Sequence, residues 1–456
     1  MVGAAPQAAT LRSAFQIAWP ASLAAIITPL LGLTDVAVLA RGSDAQALAG
    51  ASLAGSLFSL LYWTFGFLRM SLSGLVAQSV GSNDEVSLRA QLIQGAGMGL
   101  VIGLTLAIAQ GGISIAAQQF FVDSSNASEA AGEAMQAYLR IRIWAAPAAI
   151  MTMGILGWLT GQGRTGLLML VTIGTAGVNA ILSIWFVLGL GWGIAGLASA
   201  TALAELFGLL VSAGCAAAIL HRRGGLRIHW DRSRLQSGWS NLLSLNLDIL
   251  LRTLVLNAIF LSFTRFSADF GDLTLAANHV LLNLVLTLTL LLDGPAIAAE
   301  TFVGQALGAP RDRRALFEAA WRKTAIIAAV MAAIICASLL VAGDGLLALT
   351  VGESHDTAAV LVEARRYLGW ATLMPVAVAM AYHLDGVFVG ATRADAMRNT
   401  MFVAGAIYFG LAFWLAGSFG NHGLWAALLI FMVIRGLALV AMWGGFGPQM
   451  QRGITG

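Results

Sequence analysis

Apolar runs recur from one end of the chain to the other, and polar positions gather in the short stretches between them. A run of about twenty residues, wound as a helix, crosses a bilayer core of roughly 30 Å. The pattern predicts twelve such runs, at 14–40, 46–80, 88–118, 134–160, 166–190, 193–221, 236–268, 274–308, 315–349, 360–390, 396–419 and 422–446. The predicted fold class is an all-α polytopic membrane protein with twelve transmembrane helices. The second and eighth runs exceed a perpendicular crossing, so they must tilt, bend or protrude.

The runs repeat. "ALAGASL…GLVAQSVGS" in the first half answers "TLAANHV…TFVGQALGA" in the second, and 29 residues separate both Ala49 from Gln78 and Ala276 from Gln305. Gly81 and Gly308 follow these glutamines at the same distance. "YLRIRIWAAP…GQGRTG" in the fourth run answers "YLGWATLMP…GATRAD" in the tenth, and the offset between halves stays at 227–229. Six runs is an even number, so both halves enter from the same side. This predicts two six-helix bundles related by a parallel internal repeat. The predicted lobes are residues 1–221 and 236–456, joined by a basic linker at 222–235. Two like bundles facing each other enclose a cleft, which is what alternating access needs.

Composition agrees with a membrane setting. The 456 residues are 59% hydrophobic and only 10% charged, where a soluble domain is about a quarter charged. The basic residues are nearly all Arg and lie in short loops, which reads as topology rather than nucleic-acid binding. The loop after the sixth run carries Arg222, Arg223, Arg227, Arg232 and Arg234, and that after the eighth carries Arg311, Arg313 and Arg314. The opposite loops are acidic or bare, with Arg140, Arg365 and Arg366 as exceptions. The positive-inside rule then puts both termini in the cytoplasm, in a bacterial-type inner membrane. Cys215 and Cys336 read as isolated apolar thiols. The N-terminal stretch does not read as a cleaved signal, because it continues into the first run.

Charges inside the runs are costly and mark candidate sites. They are Asp35, Arg69, Glu205, Asp248, Arg252, Asp293, Glu300 and Asp385. Asp35, alone in "LLGLTDVAVLA", is either an interfacial acid balanced by Arg41 or a protonation switch, since an apolar wall favours its neutral form. Pro29 weakens the helix one and a half turns earlier. Asn179 and Ser183 are four apart on one face of the fifth run, and Thr201 is read as opening the next helix. Asp293 and Glu300 share a face two turns apart, beside the helix-breaking pair Gly294 and Pro295. Asp248 and Arg252, four apart, are expected to pair with each other, unless Arg252 reaches a carboxylate of the eighth or tenth run. Asp385 has no local charged partner, and Arg69 is a candidate counter-charge to one of these acids. Mutual pairing for stability is the competing reading for the whole set. No phosphate-binding loop is present, so the chain's own energy source is expected to be an ion gradient. Neither metal-hydrolase ligands nor a nucleophile–base pair stands out, and no enzyme activity or cofactor is expected.

"PLLGLTDVAVLAR", "YWTFGFLRMSLSGLVAQSVG" and "LDGVFVGATRADAMRN", in that order over nearly the whole chain, resemble the multidrug and toxic compound extrusion (MATE) transporters, DinF-like branch. The resemblance implies a twelve-helix, two-lobed antiporter that exports cationic and amphipathic compounds against inflowing protons or sodium. Asp35 matches the family's switch in the first helix. Asn179 matches the family's Asn in the fifth, but Ser183 stands where an Asp is usual. With one carboxylate fewer, Asp35 and Asn179 make a weak sodium site, and proton coupling is expected. Arg252, Asp293, Glu300 and Asp385 resemble the charged positions of the C-terminal lobe. The expected partners are small amphipathic cations and the lipid bilayer, with no nucleic acid, and the expected working unit is a monomer. The alternatives are sodium-coupled multidrug export and a lipid-linked precursor flippase. A flippase cleft would be more basic than the mainly acidic buried charges here.

Overall fold

The computed structural model describes residues 8–42, 45–123, 128–225, 232–351 and 355–451, and every regular element among them is helical. The first helix, Leu11–Gly42, runs through Pro20 and Pro29 without a break. The second is jointed at Gly66 into Ala45–Phe65 and Phe67–Gly81. The third is Glu85–Ile108, continued as Gln110–Gln118. The fourth, Glu129–Gly161, tightens to a 3-10 turn at Ile143–Ala145, just before Pro147. The fifth is Thr165–Gly189 and the sixth Gly193–Arg222. The seventh is Arg232–Ala268. The eighth, Asp272–Gly308, tightens at Leu290–Leu292, just before Pro295. The ninth is Arg313–Val351 and the tenth His355–Gly390. The eleventh and twelfth, 394–419 and 421–441, are two helices joined at Gly420, whose φ of 59° and ψ of −142° turn the chain.

The two overlong runs thus bend, and they bend at equivalent places. Gly66 breaks the second helix where Asp293 follows the 3-10 turn of the eighth. The turns repeat as well: Asn83 and Asp312 both take positive φ, and so do Gly163 and Thr392. Of the expected linker at 222–235, residues 226–231 lie outside the described residues, and the sixth and seventh helices run into its two ends. Each lobe has its own apolar core, with Leu39, Phe58, Met135 and Leu139 buried in the first and Phe263, Trp425, Tyr408 and Phe431 in the second, and a third cluster packs Leu68, Leu72 and Trp158 with Leu242 and Ile249 across the lobes. Their indole N–H groups are satisfied, Trp158 by Leu88 O at 2.8 Å and Trp425 by Asn278 Oδ1 at 2.8 Å.

The lobes meet along a seam built from the ends of the second, fourth, eighth and tenth helices. Gln78 Nε2 donates to Gly390 O at 3.0 Å, and Gln305 Nε2 donates to Gly161 O at 3.4 Å. A methyl on Gly81 would stand 2.2 Å from Gln305 O, and one on Gly308 would stand 2.1 Å from Gln78 O. Only glycine allows these backbones to approach so closely. The outer helices cross over in the same symmetric way. Ser22 of the first donates to Leu291 O of the eighth at 2.6 Å, while Ser71 of the second bonds Asn246 of the seventh.

Candidate functional site

The first lobe brings Asp35, Ser183, Asn179 and Thr201 into one hydrogen-bonded chain. Ser183 Oγ lies 3.3 Å from Asp35 Oδ1 and 3.5 Å from Asn179 Oδ1. Asn179 Nδ2 donates to Thr201 Oγ1 at 2.9 Å, and Thr201 donates to Leu197 O at 3.0 Å. Asn179, Ser183 and Thr201 are buried, and Asp35 is half-buried. The fifth helix supplies the middle of the chain because residues four apart stack on one face. Thr201 does not open its helix, which begins at Gly193. It sits two turns in, level with Asn179.

Ser183 is the pivot. A hydroxyl has one proton to donate. Toward an ionised Asp35 it donates to the carboxylate. If Asp35 takes up a proton, that acid becomes a donor itself, and the hydroxyl is free to turn to Asn179 Oδ1. The arrangement therefore has two satisfied states that differ by one proton. The cation whose charge bears on Asp35 is Arg142, at a distance and without an ion pair among the described residues. Arg142 is held by Glu205, with Nη2 2.9 Å and Nε 3.2 Å from Oε1, and Tyr62 donates to the other carboxylate oxygen at 3.2 Å. Its guanidinium also lies 4.4 Å from the centroid of the Phe58 ring. Glu205, a candidate from its position in an apolar run, is thus one half of an enclosed ion pair. Arg142 escaped the sequence reading because it lies near the start of its run beside Arg140, where it looks like a loop charge.

The second lobe does not pair Asp248 with Arg252. Asp248 is bonded by Arg398 of the eleventh helix, and Arg252 reaches Asp385 of the tenth at 2.5 Å. Four-residue spacing puts two side chains on one face, but an arginine also reaches across to a neighbouring helix. Here the neighbours offer the better-placed partners. A second arginine, Arg435 of the twelfth helix, also bonds Asp385. Arg435 is 1% exposed, and sequence reasoning missed it. It is the lone charge of the run 422–446, the same signal that singled out Asp35, so it could have been found.

Asp293 and Glu300 lie further along the eighth helix, where it packs on the seam. Glu300 is 2% exposed and its Oε1 has no partner among the described residues. Arg69, across the lobe boundary, acts on both acids but stands in no ion pair with either. Its Nη1 is likewise buried and unpartnered. Arg69 therefore answers two acids rather than one. His383, in the tenth helix, is bonded to Thr324 Oγ1 at 2.8 Å, which gives it no carboxylate or serine to act with.

The MatE family model matches this chain twice, at residues 20–186 and 249–414, once in each lobe. The chain is 35% identical over 433 residues to DNA damage-inducible protein F of Escherichia coli (strain K12), covering 95% of this chain and 92% of that one. Among solved structures it superposes on a MOP superfamily transporter from Pyrococcus furiosus with a TM-score of 0.82 at 18% identity, covering 97% and 96% of the two chains. It also superposes on a multidrug resistance MATE family transporter in an outward-facing conformation, with a TM-score of 0.79 at 18% identity and 97% of each chain covered. Sequence, internal duplication and fold agree, and the chain belongs to the MATE family of multi-pass membrane transporters.

Proposed function

We propose that this transporter exports amphipathic organic cations in exchange for protons, with Asp35 as the proton-carrying group of the first lobe. The observation that carries the reading is the Asp35–Ser183–Asn179–Thr201 chain, in which the carboxylate is hydrogen-bonded by a neutral hydroxyl that can face either way. Protonated Asp35 carries no charge through the apolar part of the lobe. Ionised Asp35 attracts a cationic cargo. Proton and cargo thus compete for one carboxylate, which is the requirement for exchange. A sodium ion needs about five or six oxygen ligands, as hard cations do, and this group offers few.

The lobes are joined at the end bearing the arginine-rich loops, which the positive-inside rule assigns to the cytoplasm together with both termini. The deciding experiment is antiport in proteoliposomes, with a pH gradient and a sodium gradient imposed separately and ethidium as cargo. A pH gradient alone should drive ethidium movement, and Asp35→Asn should abolish it. Unchanged transport by Asp35→Asn, or transport driven by sodium alone, would overturn the reading.

A further inference from the structure

The turns that open the third and ninth helices repeat each other with their charges reversed. Asn83 and Asp312 occupy equivalent places and take positive φ of 56° and 55°. In the first lobe Asp84 and Glu85 follow. Asp84 accepts from Ser87 N at 3.0 Å, and Glu85 holds Arg89 at 2.8 Å and Arg223 at 2.5 Å. Carboxylates suit this place, the positive end of a helix, where the first N–H groups lack partners. In the second lobe Arg313 and Arg314 stand at the same two positions, and Glu318 stands where Arg89 does. The pair four residues apart is still made, Arg314 to Glu318 at 3.1 Å, with its sense reversed. The ninth helix thus gathers cations at its positive end.

An open cavity of about 540 Å³ lies beside this turn, a volume within the range of small-ligand sites. Arg311, Arg313 and Arg314 line it, together with Asp312, Glu318 and Met450. Glu318 is shared, because Arg322 also approaches it, at 3.9 Å. Arg311 and Arg313 stand in no ion pair among the described residues. Arg313 is half-buried and fixed in place. Its Nε donates to Ala309 O at 2.6 Å and its Nη1 to Gln449 O at 3.4 Å, while its Nη2 has no partner among the described residues. Four arginines thus face two carboxylates, and the excess of positive charge adds to that of the helix end.

We propose that this cavity binds a phosphate group, carried by an anionic phospholipid headgroup or present as the free anion. Guanidinium forks match the oxygens of a phosphate in pairs, and Arg311 and Arg313 have donors to give. The surroundings favour the lipid. The turn lies at the arginine-rich end of the bundle, where basic pockets hold anionic headgroups of the adjoining leaflet. Met450 gives the cavity an apolar wall. Just below, Trp321 packs on Trp443 and Phe317 on Phe446, each pair with ring centroids 5.3 Å apart. Such aromatic groups mark the level of the membrane–water interface. Further along the ninth helix Ile326, Val330 and Ile334 are exposed, as side chains facing lipid tails are. A phosphate held here also touches two parts of the chain at once, the start of the ninth helix and the closing segment Gly447–Gln451, which Arg313 already ties together.

The site is independent of what the protein exports, and its test needs no transport. The full chain in neutral detergent is titrated with labelled phosphatidylglycerol, and saturable binding is measured. Phosphatidylcholine of the same chain length, which has no net charge, should bind far more weakly. The double variant Arg311→Gln/Arg314→Gln should bind phosphatidylglycerol about thirtyfold more weakly, the loss that two interfacial arginines carry. Both side chains are exposed, so the variant should fold as the wild type does. Asp312→Asn removes a carboxylate from the cavity and should tighten binding about fivefold. Asparagine already holds the equivalent positive-φ position at Asn83, so this change keeps the turn. Arg265→Gln removes an exposed arginine of the seventh helix, remote from the cavity, and should bind as the wild type does. Inorganic phosphate added in millimolar amounts separates the two sources. Displacement of the lipid by phosphate supports the free anion as occupant, and lipid binding that phosphate leaves intact supports the headgroup. Equal binding of the two lipids overturns the proposal. So does wild-type binding by Arg311→Gln/Arg314→Gln, or an equal loss in Arg265→Gln.

Discussion

Gln78 and Gln305 perform the same act on opposite lobes, each donating its side-chain amide to the final helical carbonyl region of the other lobe. Gln78 reaches Gly390 O at 3.0 Å and Gln305 reaches Gly161 O at 3.4 Å. Each also lends its own carbonyl to a close approach by a glycine, Gly308 against Gln78 and Gly81 against Gln305. This end of the seam is thus held by backbone proximity and two reciprocal hydrogen bonds, while Ser22 and Ser71 tie the first and second helices across the lobes elsewhere.

The first prediction concerns that proximity. Gly308→Ala puts a methyl 2.1 Å from Gln78 O, and the opposing atom is backbone that cannot swing away. Overpacking of this kind costs about 1–3 kcal/mol, so the closed state should lose roughly five- to a hundredfold in population. Gly81→Ala should act in the same direction. Gly177→Ala is the control, because nothing lies within 4 Å of its added methyl. The distance between spin labels at Ser82→Cys and Pro310→Cys, with Cys215→Ser and Cys336→Ser, should lengthen in the two seam variants and stay unchanged in the control.

The second prediction concerns the ion. Ser183 stands 3.3 Å from Asp35 and 3.5 Å from Asn179 Oδ1, in the centre of the chain. Ser183→Asp gives the site a second carboxylate and removes the turning hydroxyl. Two carboxylates and an amide oxygen suit a hard cation better than one carboxylate does. Ethidium transport by this variant should become stimulated by a sodium gradient. A variant that still ignores sodium would mean that carboxylate number does not set the coupling ion.

The third prediction concerns the enclosed pair. Glu205 and Arg142 are bonded at 2.9 Å among Phe58, Tyr62 and Tyr138. Removing one member strands the other charge, which costs about 3–5 kcal/mol. Arg142→Met and Glu205→Leu should each lower the melting temperature in detergent markedly. The double variant should recover part of the loss, because no charge is stranded and only the Tyr62 and Tyr138 hydroxyls lose a partner. Equal losses in the singles and the double would show that the aromatic packing around the guanidinium matters more than its charge.

How far the sequence discloses this molecule depends on whether a feature is local or rotational. Helix spans follow from run length alone, and the bends of the second and eighth helices follow from their excess length together with Gly66 and Pro295. The Asn179–Ser183 stack follows from the helical repeat, and its meeting with Asp35 was legible through the family resemblance. Partner choice was not legible. Whether Asp248 turns to Arg252 or to Arg398 depends on how the seventh helix is rotated against the eleventh, which no single run records. The joint at Gly420 was legible as a boundary, because the apolar runs end at 419 and resume at 422, and the chain turns between them at one positive-φ residue.

That joint carries the last prediction. Just beyond Gly420, Asn421 and Trp425 both lean on one amide of the eighth helix. Asn278 Nδ2 donates to Asn421 Oδ1 at 2.7 Å and to Ser267 Oγ at 2.8 Å. Asn278 Oδ1 accepts from Asn421 Nδ2 at 2.9 Å and from Trp425 Nε1 at 2.8 Å. All four of this side chain's hydrogen-bonding sites are used, and every partner is buried. Asn278→Ala leaves the indole N–H and the Asn421 amide unpaired, at about 1–3 kcal/mol for each stranded group. The cost falls on the start of the twelfth helix, which also carries Arg435 to Asp385. Asn278→Ala should therefore lower the melting temperature and speed amide hydrogen exchange over residues 419–426. Exchange at the seam residues 74–81 should stay as in the wild type. Faster exchange at the seam as well would mean that the joint and the lobe interface loosen together.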